Sequence, residues 1–244
     1  MDDISIMLIK QRKANVYQPS TTGPAACERH KARGRRFPVK GGGRSMLTLY
    51  YFPGACSMAS HAALEEAGAT YERVTVNLRG GEQNGEAFRK INARSQVPVL
   101  RTEDRVITEN VAILTYVGRR FPQAGLLPSD PIDEARCLSL MTWISCAVDP
   151  LFRRAARPER FVADEAARPA MADAAKDAYW AKCREIDTHL QGRTWMMGDQ
   201  FTVCDPYALV YYGWAPRFGL PVAELAFWKG PRSGACSSAK KIRF

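Results

Sequence analysis

Cys56 is the residue whose type and position most clearly suggest chemical reactivity, and it lies in the run YFPGACS at residues 51–57. A strand-type segment leads into the Pro-Gly turn, and we expect a helix to begin around Cys56 or Ser57. A helix N-terminus presents free backbone N–H groups and partial positive charge, which stabilise a thiolate. That thiolate belongs either to Cys56 itself or to a bound thiol compound. Ser57 either donates a hydrogen bond there or only caps the helix.

No second cysteine follows Cys56 in a Cys-x-x-Cys spacing, because the next residues are Ser57, Met58 and Ala59. A dithiol oxidoreductase needs a resolving cysteine at that spacing, so this class of enzyme is disfavoured. The structural alternative makes Cys56 a small buried hydrophobe and Ser57 a plain cap.

Two further segments could bind an extended, charged ligand. Pro98 opens a strand, where it cannot donate a ladder hydrogen bond. If the bond before it were cis, the Val97 backbone would face away from the sheet and could pair with a peptide-like ligand. At the start of another helix, Glu109 could hold a ligand ammonium while Asn110 and backbone N–H groups hold a carboxylate. The alternative for these two residues is an acid and a cap in a first helical turn.

The elements that must position these residues first alternate between strand and helix patterns. Their order, β-α-β-α-β-β-α, implies a mixed sheet with helices on both faces, and hence an α/β domain over residues 46–122. The predicted strands are 47–51, 71–78, 97–100 and 106–108, and the predicted helices are 57–67, 86–91 and 110–121.

Strand patterns disappear after a linker at residues 123–131 that is rich in Pro and Gly. Apolar residues at helical spacing then predict an all-α domain over residues 132–228. Thr202 and Asp205 form a capping-box-like pair, to which we assign a structural role. The predicted helices of this domain are 132–152, 163–190 and 202–215.

The net charge of +10 is concentrated at the two ends of the chain. Residues 1–45 hold ten Lys and Arg against three Asp and Glu, and residues 229–244 hold five Lys and Arg and no acid. Basic ends attract polyanions without a specific site, so we expect no specific nucleic-acid partner. We expect residues 1–45 to be a disordered basic extension and residues 229–244 an atypical basic tail.

Seven cysteines without a regular spacing indicate reduced thiols. No apolar run is long enough for a signal peptide or a membrane-spanning helix, so we expect a cytoplasmic protein with no membrane partner. Cys56 and His61 alone cannot make a zinc site, and we expect no metal.

Four motifs, in this order, resemble those of cytosolic glutathione transferases, and most closely the bacterial beta class. The resemblance runs from Met46 to about Trp228. The family motifs YxPGACSxASH, NPxGxVPxL, LTExxAIxxY and GxxFTxAD correspond here to YFPGACSMASH at 51–61, NARSQVPVL at 92–100, ITENVAILTY at 107–116 and GDQFTVCD at 198–205.

This resemblance implies a thioredoxin-like N-terminal domain, a helical glutathione-transferase C-terminal domain and a homodimer. Glutathione would bind as co-substrate, with its sulfur beside Cys56 and Ser57 and its γ-glutamyl end at Glu109 and Asn110. Its thiol would attack a small hydrophobic electrophile in a detoxifying conjugation. The segment implied to bind its cysteinyl backbone is Gln96, Val97 and a cis Pro98.

The chain also departs from the family pattern. A family Asn falls on Ser145, a family His on Phe152 and a family Lys on Arg153, and Ser95 replaces a turn glycine. The electrophile pocket is expected between the domains, near Phe52, Phe152 and the helix that begins at Thr202.

The C-terminal end departs most, since no helical period follows Trp228. We therefore expect part of the helical core to be uncovered, with Leu209 and Trp214 exposed and stability reduced.

Two alternative functions remain at this point. One is a glutathione-dependent thiol reductase that forms a mixed disulfide at Cys56, and the other is a catalytically silent fold that acts in binding only.

Overall fold

The computed structural model describes residues 47–103 and 105–228. The predicted basic extension at 1–45 and the predicted tail at 229–244 lie outside the described residues. Among the described residues, no helix is both long and apolar enough to cross a membrane.

The first domain is a four-stranded mixed sheet with helices on both faces. Strand β1 (Leu47–Tyr51) pairs in parallel with β2 (Tyr71–Thr75) and antiparallel with β3 (Val99–Arg101), which pairs antiparallel with β4 (Val106–Thr108). The helices of this domain are α1 (Ser57–Glu66), α2 (Glu86–Arg89) and α3 (Asn110–Arg120).

Alternation along the central strands determines which helix covers which face of the sheet. Leu49 and Leu100 are fully buried in the larger core, which includes the apolar residues of α1 and α3. Tyr50 and Val99 belong to a smaller core with Phe88 of α2, whose ring meets that of Tyr50 edge-on at 6.1 Å. The predicted thioredoxin-like arrangement is therefore confirmed.

The second domain is helical, as predicted, but its first long helix is interrupted. It comprises α4 (Pro131–Trp143), a π-helical turn (Ile144–Val148), α5 (Asp149–Ala156), α6 (Arg168–His189) and α7 (Cys204–Trp214). Pro150 has no backbone N–H, so the regular hydrogen-bond ladder cannot run through this point. The helical stretch predicted over 132–152 therefore forms, but it contains a π-helical turn before Pro150 and extends to Ala156.

The expectation of an uncovered helical core is wrong within the described residues. Leu209 is 8% exposed and Trp214 7% exposed. The Trp214 ring stacks on that of Phe152 with 4.1 Å between centroids, and the Trp228 ring packs against Tyr212. The segment that ends at Trp228 therefore closes the side of α7 that the sequence pattern left open.

Candidate active site

A cleft of about 410 Å³, part of it open to solvent, lies between the two domains. The first domain contributes the turn before α1, the loop before β3 and the first turn of α3. The second contributes the π-helical turn, the start of α5 and one residue of α7. The residues that line it are Cys56, Asn92, Gln96, Val97, Pro98, Thr108, Glu109, Asn110, Ser145, Asp149, Arg153 and Tyr207.

Cys56 immediately precedes α1, as the sequence predicted, and its side chain is partly exposed to the cleft. Its Sγ lies 3.6 Å from the carbonyl oxygen of Val97. Its own carbonyl oxygen accepts hydrogen bonds from the Ala59 N–H at 3.1 Å and from the Asn110 side-chain amide at 3.0 Å. The sulfur is thus held between the start of α1 and the loop before β3.

The surroundings of Cys56 oppose ionisation of its own thiol. Burial raises its pKa from 9.0 to about 12, and the nearby Asp149 carboxylate raises it further while Arg153 opposes that effect. Desolvation penalises the thiolate more than the helix N-terminus stabilises it. This environment therefore disfavours the thiolate of Cys56 itself, which is one of the two thiolates that the sequence left open.

The structure does not bring Ser57 into the cleft. Its side chain is fully buried, and its hydroxyl donates to the Phe52 carbonyl at 3.2 Å and accepts from the Phe52 N–H at 3.1 Å. Both hydrogen-bonding functions thus serve the Pro-Gly turn. In this structure Ser57 therefore holds the turn before Cys56, and its expected contact with a thiol stays a prediction.

The bond between Val97 and Pro98 is cis, as the resemblance implied. The loop before it is held by Asn92, whose side-chain amide donates to the Gln96 carbonyl at 2.8 Å and whose side-chain oxygen accepts from the Arg94 N–H at 3.1 Å. Ser95, which stands where the family has a glycine, has φ +56°. This backbone region favours glycine, so the serine is accommodated with some strain.

Glu109 also has a positive φ, of +70°, and its side chain is mostly exposed beside the cleft. One carboxylate oxygen lies 3.5 Å from Nη1 of Arg94. A strained non-glycine residue at the mouth of a cleft is typical of a functional position. Its carboxylate is placed where it could meet a ligand cation.

Asn110 lines the cleft but uses its side chain internally. Its oxygen accepts from the Ser60 hydroxyl at 2.7 Å, and its amide donates to the Cys56 carbonyl. The groups of α3 that remain available to a ligand are the first backbone N–H groups of the helix, which have no intrahelical partners. The expected carboxylate contact therefore falls to the backbone of this turn.

The helical domain brings Asp149 and Tyr207 to the cleft; sequence reasoning missed Asp149, whereas Tyr207 lies on the helix that was expected to line the pocket. The Asp149 carboxylate accepts from the Tyr211 hydroxyl at 3.1 Å and forms a close ion pair with Arg153. Burial raises the pKa of Tyr207, so its hydroxyl remains protonated. The carboxylate before Pro150, on a face that carries Arg153 one turn later, was the signal that could have identified Asp149.

The expected aromatic wall of the electrophile pocket is not observed at this cleft. Phe152 is only 9% exposed and packs in the core against Trp214, Tyr179 and Phe218. Phe52 packs against the smaller core. The helical-domain side of the cleft is instead polar, because Ser145, Asp149, Arg153 and Tyr207 line it.

Metal ligands do not converge here. Within residues 47–103 and 105–228, no group of three His, Cys, Asp or Glu side chains could hold a metal ion. His61 lies in α1 and is 3% exposed, and its ring contacts that of Tyr51 at 5.2 Å between centroids.

Comparisons with known proteins agree with this architecture. Residues 45–119 match the family model described as glutathione S-transferase, N-terminal domain. The chain is 30% identical over 172 residues to glutathione S-transferase GstA of Escherichia coli O157:H7, which covers 69% of this chain and 82% of that protein.

Two solved structures extend the likeness across both domains. A glutathione transferase homologue from Sulfitobacter, solved with bound glutathione, is 31% identical with a TM-score of 0.71, over 76% of this chain and 88% of that one. The bacterial beta-class glutathione S-transferase of Sphingomonas chungbukensis is 28% identical with a TM-score of 0.66, over 74% of this chain and 88% of that one.

Proposed function

Because the chain belongs to the glutathione S-transferase family, we propose that it binds reduced glutathione beside Cys56 and transfers its sulfur to a small electrophile. The observation that carries this proposal is the convergence of Cys56, the cis Val97–Pro98 segment and the first turn of α3 on one cleft.

The γ-glutamyl and cysteinyl parts of glutathione have matching groups in this cleft. Its γ-glutamyl ammonium meets the exposed Glu109 carboxylate, and its γ-glutamyl carboxylate meets the N–H groups at the start of α3. Its cysteinyl backbone pairs with Val97, with Gln96 and Pro98 on either side. The thiol then points toward Cys56, between the N-terminus of α1 and Arg153.

The reaction needs an ionised glutathione thiol close to an electrophilic carbon. Positive charge from Arg153 and the N-terminus of α1 favours the thiolate, while the cleft fixes its position. The sulfur forms a bond to carbon, and the leaving group departs with its electron pair. Since the helical side of the cleft is polar, the electrophile carries hydrogen-bonding groups as well as its apolar part.

Calorimetric titration of reduced glutathione into the full chain tests the proposal, with a chain that starts at Met46 beside it. We expect saturable binding in both. Glu109→Gln should weaken binding about tenfold, as the loss of one charge-assisted contact does. Glu103→Gln, an exposed glutamate in the β3–β4 turn, is the matched control. Saturation by neither wild-type chain would contradict the proposal.

A thiol reductase is the second candidate, because the Cys56 sulfur itself lines the cleft. In that reaction the Cys56 thiol attacks oxidised glutathione, forming a mixed disulfide and releasing one reduced glutathione. The raised pKa of Cys56 argues against it. Mass spectrometry after incubation with oxidised glutathione separates the two candidates, since a stoichiometric adduct at Cys56 supports the reductase.

We further propose that the protein acts as a cytoplasmic homodimer. Val106 at the edge strand and Ile132 at the start of α4 are apolar and exposed, Ile132 by 72%. The family resemblance is what implies the homodimer, and a subunit contact over either residue would bury its apolar surface. Sedimentation at several concentrations measures the oligomeric state, and a monomer at all of them would contradict this part of the proposal.

A further inference from the structure

The turn that carries Cys56 is bound by two side chains from the far end of the helical domain. The carbonyl oxygen of Gly54 accepts a hydrogen bond from Trp214 Nε1 at 2.9 Å and a second from Arg217 Nη2 at 3.0 Å. Gly54 precedes Cys56 by two residues. The sequence gives no hint of this contact, because its partners lie about 160 residues further along the chain.

The other anchors of this turn lie within the first domain. Ser57 ties the turn to Phe52, and Asn110 binds the Cys56 carbonyl. Gly54 has φ +74°, which glycine adopts without strain, and its carbonyl anchors this turn to the helical domain by two hydrogen bonds. The contact matters because the remaining wall of the cleft, with Asp149 and Arg153, belongs to that second domain.

The two donors differ in how firmly they are held. Trp214 is buried and stacked on Phe152, so it is part of the core. Arg217 is exposed, and its guanidinium lies over the Trp214 ring at 5.5 Å from the centroid. Arg217 therefore adds a charge-assisted hydrogen bond to Gly54 without filling core volume, and it can be replaced without opening a cavity.

We propose that Arg217, acting with Trp214 through the Gly54 carbonyl, is a positioning residue that sets the Cys56 turn against the helical-domain wall of the cleft. The effect of Arg217 on catalysis rests on the proposed glutathione transfer, whereas the effect of Arg217 on the position of the turn does not. Displacements of a fraction of an ångström between a reacting group and the charges around it are enough to change rates.

Arg217→Gln tests the proposal, with Arg193→Gln as matched control. Arg193 is also exposed and also donates to a backbone carbonyl, but that carbonyl belongs to His189, four residues earlier in the chain, and not to the turn that carries Cys56. The first readout is the rate at which iodoacetamide modifies Cys56 in the absence of glutathione, followed by peptide mass spectrometry. Loosening the turn should raise that rate about threefold to tenfold, the range of the net contribution of one solvent-exposed hydrogen bond.

The second readout is the pH profile of kcat/KM for conjugation. In this profile, kcat/KM rises with pH as the reacting thiol ionises. We expect Arg217→Gln to shift this rise to higher pH, and Arg217→Lys, which keeps the charge, to restore part of the shift. The melting temperatures of Arg217→Gln and Arg193→Gln should match. Faster Cys56 modification in a chain that binds no glutathione would support the positioning role while refuting the proposed function. Equal Cys56 rates and equal pH profiles in Arg217→Gln and Arg193→Gln would overturn the positioning role.

Discussion

Cys56 is subject to two opposing electrostatic effects. The N-terminus of α1 and Arg153 favour a thiolate, whereas burial and the Asp149 carboxylate favour the neutral thiol. Burial is the largest of these effects, and the pKa rises to about 12. The surroundings of Cys56 therefore disfavour the ionised form of its own thiol at neutral pH.

The pH dependence of Cys56 modification follows from this raised pKa. Only the thiolate reacts with iodoacetamide, so the rate should rise about tenfold for each pH unit. Because the thiol keeps its proton until about pH 12, this rise should continue well beyond 9.0, where an ordinary thiol levels off. Peptide mass spectrometry over a pH series measures the rate of Cys56 modification. A plateau of this rate near pH 9 would show that the surroundings do not destabilise the Cys56 thiolate.

Asn110 is the residue that joins α3 to the Cys56 turn. Asn110→Ala leaves the Ser60 hydroxyl and the Cys56 carbonyl without this buried partner. We expect the free energy of unfolding to fall by about 2 kcal/mol, from lost hydrogen bonds and unsatisfied polar groups. Urea denaturation measures it. Thr115→Ala, elsewhere on α3, is the control, since Thr115 bonds only its own helix at the Val111 carbonyl.

At the scale of one element, the start of α7 depends on Asp205. The predicted pair with Thr202 forms, since the Asp205 carboxylate accepts from the Thr202 N–H at 2.8 Å and from its hydroxyl at 3.2 Å. The helix itself begins later, at Cys204, so Thr202 is not its N-cap. Asp205 also accepts from the Met196 N–H at 2.8 Å, which fixes the preceding loop.

Replacing Asp205 therefore affects both the helix and the loop before it. Asp205→Ala should lower the free energy of unfolding by about 3 kcal/mol, because buried N–H groups lose a charged acceptor. Asp199→Ala, at an exposed aspartate of the same loop, should change it by less than about 0.5 kcal/mol. Thermal and urea unfolding of both variants measure the difference, and equal values would refute the role of Asp205.

At the scale of the whole molecule, the helical core is closed by the segment that precedes residue 229. The Asp187 carboxylate of α6 accepts from the N–H groups of Ala226 at 3.1 Å, Phe227 at 2.8 Å and Trp228 at 2.7 Å. These bonds hold the Trp228 ring against Tyr212 of α7. The Trp228 side chain is only 3% exposed as a result.

Asp187→Ala should release residues 226–228 from α6. We expect the free energy of unfolding to fall by about 2 kcal/mol and the Trp228 side chain to become accessible. Asp177→Ala, an exposed aspartate earlier in α6, is the control. Tryptophan fluorescence and urea denaturation report the two effects, and a variant indistinguishable from Asp177→Ala would contradict the closure by Asp187.

Local sequence patterns determined the elements and much of the first-domain site. Turns, strands and helix starts depend on residues that are close in sequence. The Pro-Gly turn before Cys56, the strand opened by Pro98 and the helix at Asn110 could therefore be predicted from local patterns. The family resemblance then implied the cis bond before Pro98 and the glutathione that these segments would bind.

Contacts between distant segments were decided only by the tertiary structure. The burial that raises the pKa of Cys56, the ion pair of Asp149 with Arg153 and the anchoring of Gly54 by Trp214 and Arg217 all join parts of the chain that no local pattern relates. Desolvation and hydrogen bonding depend on which groups meet after the domains have packed. The site itself, a cleft between two domains, exists only once that packing has occurred.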